Sequence, residues 1–182
     1  GRRSGRRPQP GALVGCTDLT GWQALTRVLE VDQTPIGKTP RSCPATYIGI
    51  WDRIRRLFAG APEARMLGWG PGRFSFNTGA GRCPACEGQG VERVEMSFLP
   101  DVKLPCELCS GTRFNAETRR ICYLGRDIGE VLAMSVDEAV ELFQAHPPIR
   151  HPLGLLQQVG LGYLSLGQAS PTLSGGEAQR IK

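Results

Sequence analysis

The most constraining stretch of this chain is Cys83-Pro84-Ala85-Cys86-Glu87-Gly88-Gln89-Gly90, answered by Cys106-Glu107-Leu108-Cys109-Ser110-Gly111. Two C-x2-C pairs stand 19 residues apart, inside the spacing window of a four-thiolate metal site. Each C-x2-C turn brings two sulfurs about one tetrahedral edge apart, and two such turns close a shell. Gly88, Gly90 and Gly111 let the backbone curl so that amide N–H groups can point at the sulfurs and offset their negative charge. Two disulfides or four free thiols are the alternatives. The Arg-rich start, Gly1 to Pro10, has no apolar stretch behind it and is not expected to be a secretory signal, which favours Zn2+ over disulfides. With Cys83, Cys86, Cys106 and Cys109 filling four positions, the zinc is expected to be structural, with no open position for catalysis. The residues between the pairs suit a two-stranded hairpin. Val94, Met96 and Phe98 alternate with Glu95 and Ser97 in the pattern of a half-buried strand. Cys16, Cys43 and Cys122 are scattered and are expected to be buried or half-buried thiols.

Outward from the cysteines, 24 Gly and 14 Pro among 182 residues describe a chain rich in turns. A hydrophobic content of 40% excludes full disorder, and no apolar run approaches the roughly 18 residues of a membrane span. The net charge of +5 is unevenly spread. The first 82 residues carry +8, whereas residues 83–109 and 127–182 each carry −3. A basic half beside an acidic one fits a polyanionic partner, most commonly nucleic acid, and a solvated Arg-rich surface is the competing explanation. An amphipathic helix is predicted over 49–59. Ile50, Trp51, Ile54, Leu57 and Phe58 form its apolar face, and Arg53, Arg55 and Arg56 lie outside it. Those arginines, with Lys38, Arg41, Arg73 and Arg82, are candidates for DNA phosphate contacts. The cysteine-bounded hairpin is acidic and does not suit a phosphate clamp. Its tip, around Phe98-Leu99-Pro100, either presses against distorted or unstacked DNA or packs on the rest of the module.

Gly37-Lys38-Thr39 imitates the end of a phosphate-binding loop. The glycine required five residues earlier is Asp32, and Pro40 disfavours a helix starting at Thr39. No hydrophobic strand ending in Asp-Glu follows, so a self-contained ATPase is not encoded. Ser135 and Glu138 form a capping box that opens a helix to about Ala145, where Pro147 and Pro148 are expected to stop it. His146 and His151 lack a partner at metal spacing and are expected at the surface or at helix ends.

A second informative run is Thr172-Leu173-Ser174-Gly175-Gly176-Glu177-Ala178-Gln179-Arg180. Ser174 and Glu177 satisfy the S-x-x-E capping box, and a hydroxyl beside two glycine amides suits a terminal phosphate. The run resembles the signature loop of ABC-type ATPases, which acts on ATP held by the Walker A loop of a facing nucleotide domain. That resemblance implies nucleotide contacts by Leu173, Ser174, Gly175, Gly176, Glu177 and Gln179. It also matches Gln33, at the end of a short apolar strand from Val28, to the catalytic Q-loop glutamine that senses Mg2+ and the attacking water.

In order along the chain, Val31 through Gly37, Thr39 through Ser42, Pro44 through Tyr47, Ile54 through Ala59, Gly72 through Asn77, both cysteine pairs, Phe98 through Val102 and Val159 through Leu164 are similar to the UvrA family. These are the damage-recognition ATPases of bacterial nucleotide excision repair. The resemblance implies an α+β or mixed α/β fold, a partial ABC-ATPase domain running from Q-loop to signature with an inserted zinc-binding, DNA-facing module. Its divisions would be a poorly matched 1–24, a core strand and Q-loop at 25–36, the inserted module at 37–126, and a helical subdomain at 127–182. It implies ATP and Mg2+ shared with Walker loops outside this chain, so the chain by itself is not expected to hydrolyse ATP. It further implies double-stranded damaged DNA, a homodimer and a UvrB-type helicase subunit as partners, in the cytoplasm and away from membranes. Rival readings are a UvrA-related paralogue linked to antibiotic resistance, a DnaJ-type zinc chaperone module suggested by Cys83 through Gly90, and a zinc ribbon without an ATP link.

Overall fold

A computed structural model describes residues 20–24, 26, 36–37, 39–96 and 98–182. The strand expected to end at Gln33, together with Gln33, Lys38 and Cys16, lies outside the described residues. The chain divides into two units, 1–32 and 33–182. In the first, Trp22–Ala24 forms a short 3-10 turn closed by the Ala24 amide on the Gly21 carbonyl. The second unit carries everything that follows.

Among the described residues, seven α-helices and two small sheets frame its core, with shorter turns between them. Helix α1 (Pro44–Tyr47) leads into α2 (Trp51–Ala59) and α3 (Pro62–Met66). Strands β1 (Val91–Met96) and β2 (Leu99–Pro105) pair as an antiparallel hairpin. Strands β3 (Cys122–Tyr123) and β4 (Arg126–Asp127) form a second, minimal one. Helices α4 (Ile128–Ala133), α5 (Val136–Leu142), α6 (Pro147–Gln158) and α7 (Gly175–Ile181) follow. The mixed α/β class expected from the sequence is what the chain adopts.

The amphipathic reading of α2 holds. Trp51, Ile54 and Phe58, spaced three and four apart, are buried together with Ile50, whereas Arg53 and Arg56 face solvent. Around them gathers an aromatic core. Trp51 lies 5.4 Å from Phe76, Phe58 lies 5.6 Å from Phe74, and Phe76 meets Phe114 edge-on at 6.2 Å between ring centroids. Fully burying one such side chain contributes about 1.5–3 kcal/mol, and Phe76 and Phe114 flank the cysteine segment in sequence. The core continues through Ile128, Val131, Phe143, Leu153, Leu161, Leu164 and Leu166.

Both expected capping boxes are present. The Ser135 hydroxyl accepts from the Glu138 amide, and the Glu138 carboxylate accepts from the Ser135 amide at 2.8 Å. The helix they open ends at Leu142, short of Ala145. Pro147 and Pro148 do not merely stop it: they occupy the first turn of α6, where a missing N–H costs nothing and a fixed φ favours the helix. His146 sits just ahead of that helix and bonds the Tyr123 hydroxyl at 2.8 Å.

Two expectations need correction. The β1–β2 alternation does not bury one face. Val94 and Val102, which are paired, are 41% and 37% exposed, Leu104 is 50% exposed and Phe98 is 98% exposed. A two-stranded ribbon buries a face only where another layer covers it, and these side chains are left open. Cys122 is likewise exposed, although Cys43 is fully buried.

Candidate metal centre and signature segment

The four paired cysteines come together. Their sulfurs all lie within 4.8 Å of one another, and each residue is buried. Cys83 and Cys106 are 3.9 Å apart and Cys86 and Cys109 are 3.7 Å apart, sulfur to sulfur, with every one of them a free cysteine. Four metal–sulfur bonds of about 2.3 Å in a tetrahedron give edges of about 3.8 Å, so the cluster fits a metal ion held by four sulfurs.

Two matching turns build it. After Cys86, Glu87 and Gly88 adopt φ of 50° and 82°; after Cys109, Ser110 and Gly111 adopt 49° and 80°. Two successive left-handed residues reverse the chain so that later amides point back at sulfur. The Gly90 amide donates to the Cys86 sulfur at 3.2 Å. Gly88 is demanded twice over, because a Cβ there would stand 1.8 Å from the Phe76 carbonyl oxygen. The Cys83 amide bonds the Arg113 carbonyl at 2.8 Å and the Cys106 amide bonds the Gly90 carbonyl at 3.0 Å, which cross-ties the turns.

Without a metal these thiols hold their protons unequally. A hydrogen bond with the Glu92 carboxylate, with burial adding, pushes Cys106 up to about 12. Burial raises Cys109. Burial also acts to raise Cys86, but amide bonds from Gly90 and Gly88 outweigh it and hold that thiol below its ordinary value. A bound cation requires thiolates, so binding releases protons and weakens as pH falls.

The signature residues form a second locus. Ser174 caps α7: its hydroxyl oxygen accepts from the Glu177 amide at 3.2 Å, and the Glu177 carboxylate accepts from the Ser174 amide at 2.7 Å. The other Glu177 oxygen accepts from the Tyr163 hydroxyl at 2.6 Å. That bond, with the Ser174 amide, holds the Glu177 carboxyl below its usual range and raises the Tyr163 phenol. Ser174, Gly175 and Gly176 are exposed, Leu173 packs against the core and Gln179 is half-buried. The stretch leading to them is held by backbone bonds. Leu166 and Gly167 amides donate to Met134 and Leu132 carbonyls at 2.9 and 2.7 Å, and the Ser170 amide donates to Ser42 at 2.7 Å.

The arginines proposed for DNA sort into two groups. Several are engaged within the fold. Arg73 pairs with Glu117, bonds the Thr118 hydroxyl at 2.9 Å and lies 4.1 Å over the Trp69 ring. Arg55 pairs with Asp52 and reaches the Pro71 carbonyl. Arg41 bonds the Glu87 carbonyl at 3.1 Å and lies 3.5 Å from its carboxylate. Arg82 donates to the Asn77 carbonyl at 3.3 Å. Arg53 and Arg56 make no ion pair among the described residues and stand together on the open face of α2. Tyr163 and Arg113 escaped the sequence reading. Tyr163 lay inside a family-like stretch, but its partner is 14 residues away. Arg113 followed a cysteine turn by four residues with no pattern to mark it.

No family model matches the chain. Individual relatives do. It is 57% identical over 164 residues to the UvrABC system protein A of Aquifex aeolicus, covering 90% of this chain and 18% of that protein. Against the Thermus thermophilus protein of that name it is 58% identical over 164 residues, with 90% and 17% covered. Against the one from Mycobacterium tuberculosis it is 52% identical over 181 residues, with 100% and 18% covered. The crystal structure of UvrA2 from Deinococcus radiodurans superposes with a TM-score of 0.81 at 54% identity, over 86% of this chain and 19% of that one. The chain thus spans about a fifth of the length of the relatives it matches. With more than half of its residues shared across a span that holds both cysteine turns and the signature run, it belongs to the UvrA family.

Proposed function

We propose that this chain supplies the DNA-facing module and the signature loop of an ATP-dependent damage-recognition protein in nucleotide excision repair. The observation that carries this reading is the identity above 50% to proteins named UvrABC system protein A, across the span from the first described turns to α7. In this reading Ser174 and Gly176 meet the terminal phosphate of an ATP held by a facing nucleotide domain. The Ser174 oxygen already accepts from Glu177, which leaves its hydroxyl hydrogen to donate. Gln33 would couple that site to the module, with Mg2+ beside it. Cys83, Cys86, Cys106 and Cys109 would hold a structural Zn2+. Residues 25–36 would be core strand and Q-loop, 37–126 the insertion and 127–182 the helical subdomain. Hydrolysis would need Walker loops that this chain does not hold. Damaged duplex DNA, a second copy of the whole protein and a UvrB-type helicase would be its partners, in the cytoplasm. Among the described residues no helix is long and apolar enough to cross a membrane.

Arg53 and Arg56 are the foremost candidates for phosphate contact, because the other described candidates, Arg41, Arg55, Arg73 and Arg82, already have internal partners. In the intact protein, Arg53→Gln with Arg56→Gln should flatten the log–log dependence of DNA affinity on salt by nearly two, about 0.9 for each lost contact. An unchanged slope removes both residues from the DNA surface. The 54% identity to UvrA2 falls within the 52–58% range of the UvrABC relatives, so a paralogue is the second reading. A paralogue serving antibiotic resistance would bind lesion-bearing and undamaged duplexes alike.

A further inference from the structure

Arg113 joins the four-cysteine cluster to the segment that leads into the signature loop. Its carbonyl accepts from the Cys83 amide at 2.8 Å, and the amide of the preceding Thr112 donates to the Cys109 carbonyl at 3.0 Å, so its backbone joins both cysteine turns. It holds a left-handed φ of 72°, which disfavours any residue with a Cβ by roughly 1–2 kcal/mol. A position so strained and so constrained aims its side chain in one direction. The residue is only 6% exposed. Nη2 donates to the Gly167 carbonyl at 2.7 Å, the group lies 5.0 Å over the Phe76 ring, and Nη1 is buried without a hydrogen-bond partner among the described residues.

A buried guanidinium is costly unless a counter-charge faces it. The side chain lies against the first cysteine turn: a Cβ at Gly90, whose amide bonds the Cys86 sulfur at 3.2 Å, would stand 3.0 Å from Arg113 Cγ and 3.5 Å from its Nε. The groups whose charge bears on the guanidinium are the thiols of Cys43, Cys86 and Cys109. Neutral thiols do not balance it. Four thiolates around a divalent cation carry a net charge of −2, and that does.

We infer that Arg113 is a positioning residue: its guanidinium is the buried counter-charge of a metal-bound tetrathiolate, and through Gly167 it ties the occupancy of that centre to the backbone that sets Ser174. The inference rests on the zinc reading given above. The tie has a short path. Gly167 is pinned to Leu132, the Leu166 carbonyl accepts from the Ala45 amide at 3.1 Å, and Ser170 is pinned to Ser42, three residues before the signature begins at Leu173.

The test uses the intact protein as wild type, Arg113→Met and Arg113→Lys. Zinc affinity is read by competition with a chelator at fixed pH, and amide hydrogen exchange is read at Leu166, Gly167 and Ser170. Arg113→Met should weaken zinc binding about 10–100-fold, the usual effect of losing a partner just outside the ligand shell, and should speed exchange at those amides even at saturating zinc. Lysine keeps the charge but not the planar fork. Arg113→Lys should therefore restore most of the zinc affinity while leaving exchange fast. Stripping zinc from the wild type should speed exchange at those amides too. If Arg113→Met binds zinc as tightly as wild type, or if stripping zinc leaves exchange at Leu166, Gly167 and Ser170 unchanged, the inference is wrong. A wild type that takes up no zinc, with Cys86→Ala indistinguishable from it, overturns the zinc reading itself. A loaded wild type with an indifferent Arg113→Met overturns only the role of Arg113.

Discussion

Cys86→Ala is expected to take zinc in the purified protein from stoichiometric to none and to unfold the segment from Cys83 to Arg113. The size of the effect follows from how little else holds that segment. Val94, Phe98, Val102 and Leu104 are exposed, and an isolated two-stranded hairpin is marginal in water. A structural zinc ion contributes on the order of 10–16 kcal/mol of folding free energy at neutral pH, more than any other interaction described for this chain. The aromatic core around α2 contains none of the four cysteines, so far-ultraviolet circular dichroism should retain its helical signal while metal analysis falls to zero. Fast amide exchange across β1 and β2 would accompany the loss. Metal content that stays at the wild-type level in Cys86→Ala would refute the four-sulfur assignment. Acidification should mimic the substitution. Cys106, pushed up to about 12, and Cys109, raised by burial, must both lose protons to bind metal, so zinc affinity drops as pH falls.

Ser174→Arg is expected to abolish ATP hydrolysis by the intact protein, with a fall of roughly 10²–10³-fold, the usual cost of removing one donor aimed at developing phosphate-type charge. The substitution also deletes the cap of α7, a loss of about 0.5–2 kcal/mol of stability. Ser135→Ala separates the two effects, because it deletes an equivalent capping box on α5 at a site with no proposed nucleotide. It should lose similar stability by urea denaturation and keep hydrolysis near wild type. Equal loss of hydrolysis in both variants would mean that Ser174 acts through folding alone.

What could be read from the sequence was what short-range chemistry dictates. The cysteine cluster is legible because C-x2-C with a following glycine specifies a turn from within six residues. The boxes at Ser135 and Ser174 span four residues each, and the apolar stripe of α2 lies within a single helix. What escaped is non-local. The engagement of Arg73 depends on Glu117, 44 residues on, and no single segment announces that pairing. The alternation in β1 announces two faces but not whether anything covers one of them, and nothing in the segment revealed that Val94 would stay open. Arg113 was missed for both reasons: its partner at Gly167 is 54 residues away, and its burial depends on a core assembled from Phe76 and Phe114. Pro147 is ambiguous in a different way, since a proline beyond the end of one helix serves equally well in the first turn of the next.

The most direct measurement is equilibrium binding of the intact protein to a lesion-bearing duplex and to an undamaged duplex of the same sequence, with and without ATP and Mg2+. A preference for the lesion of at least roughly tenfold, about 1.4 kcal/mol, is expected, requiring nucleotide and lost in Ser174→Arg. Equal affinity for the two duplexes under both conditions would contradict it.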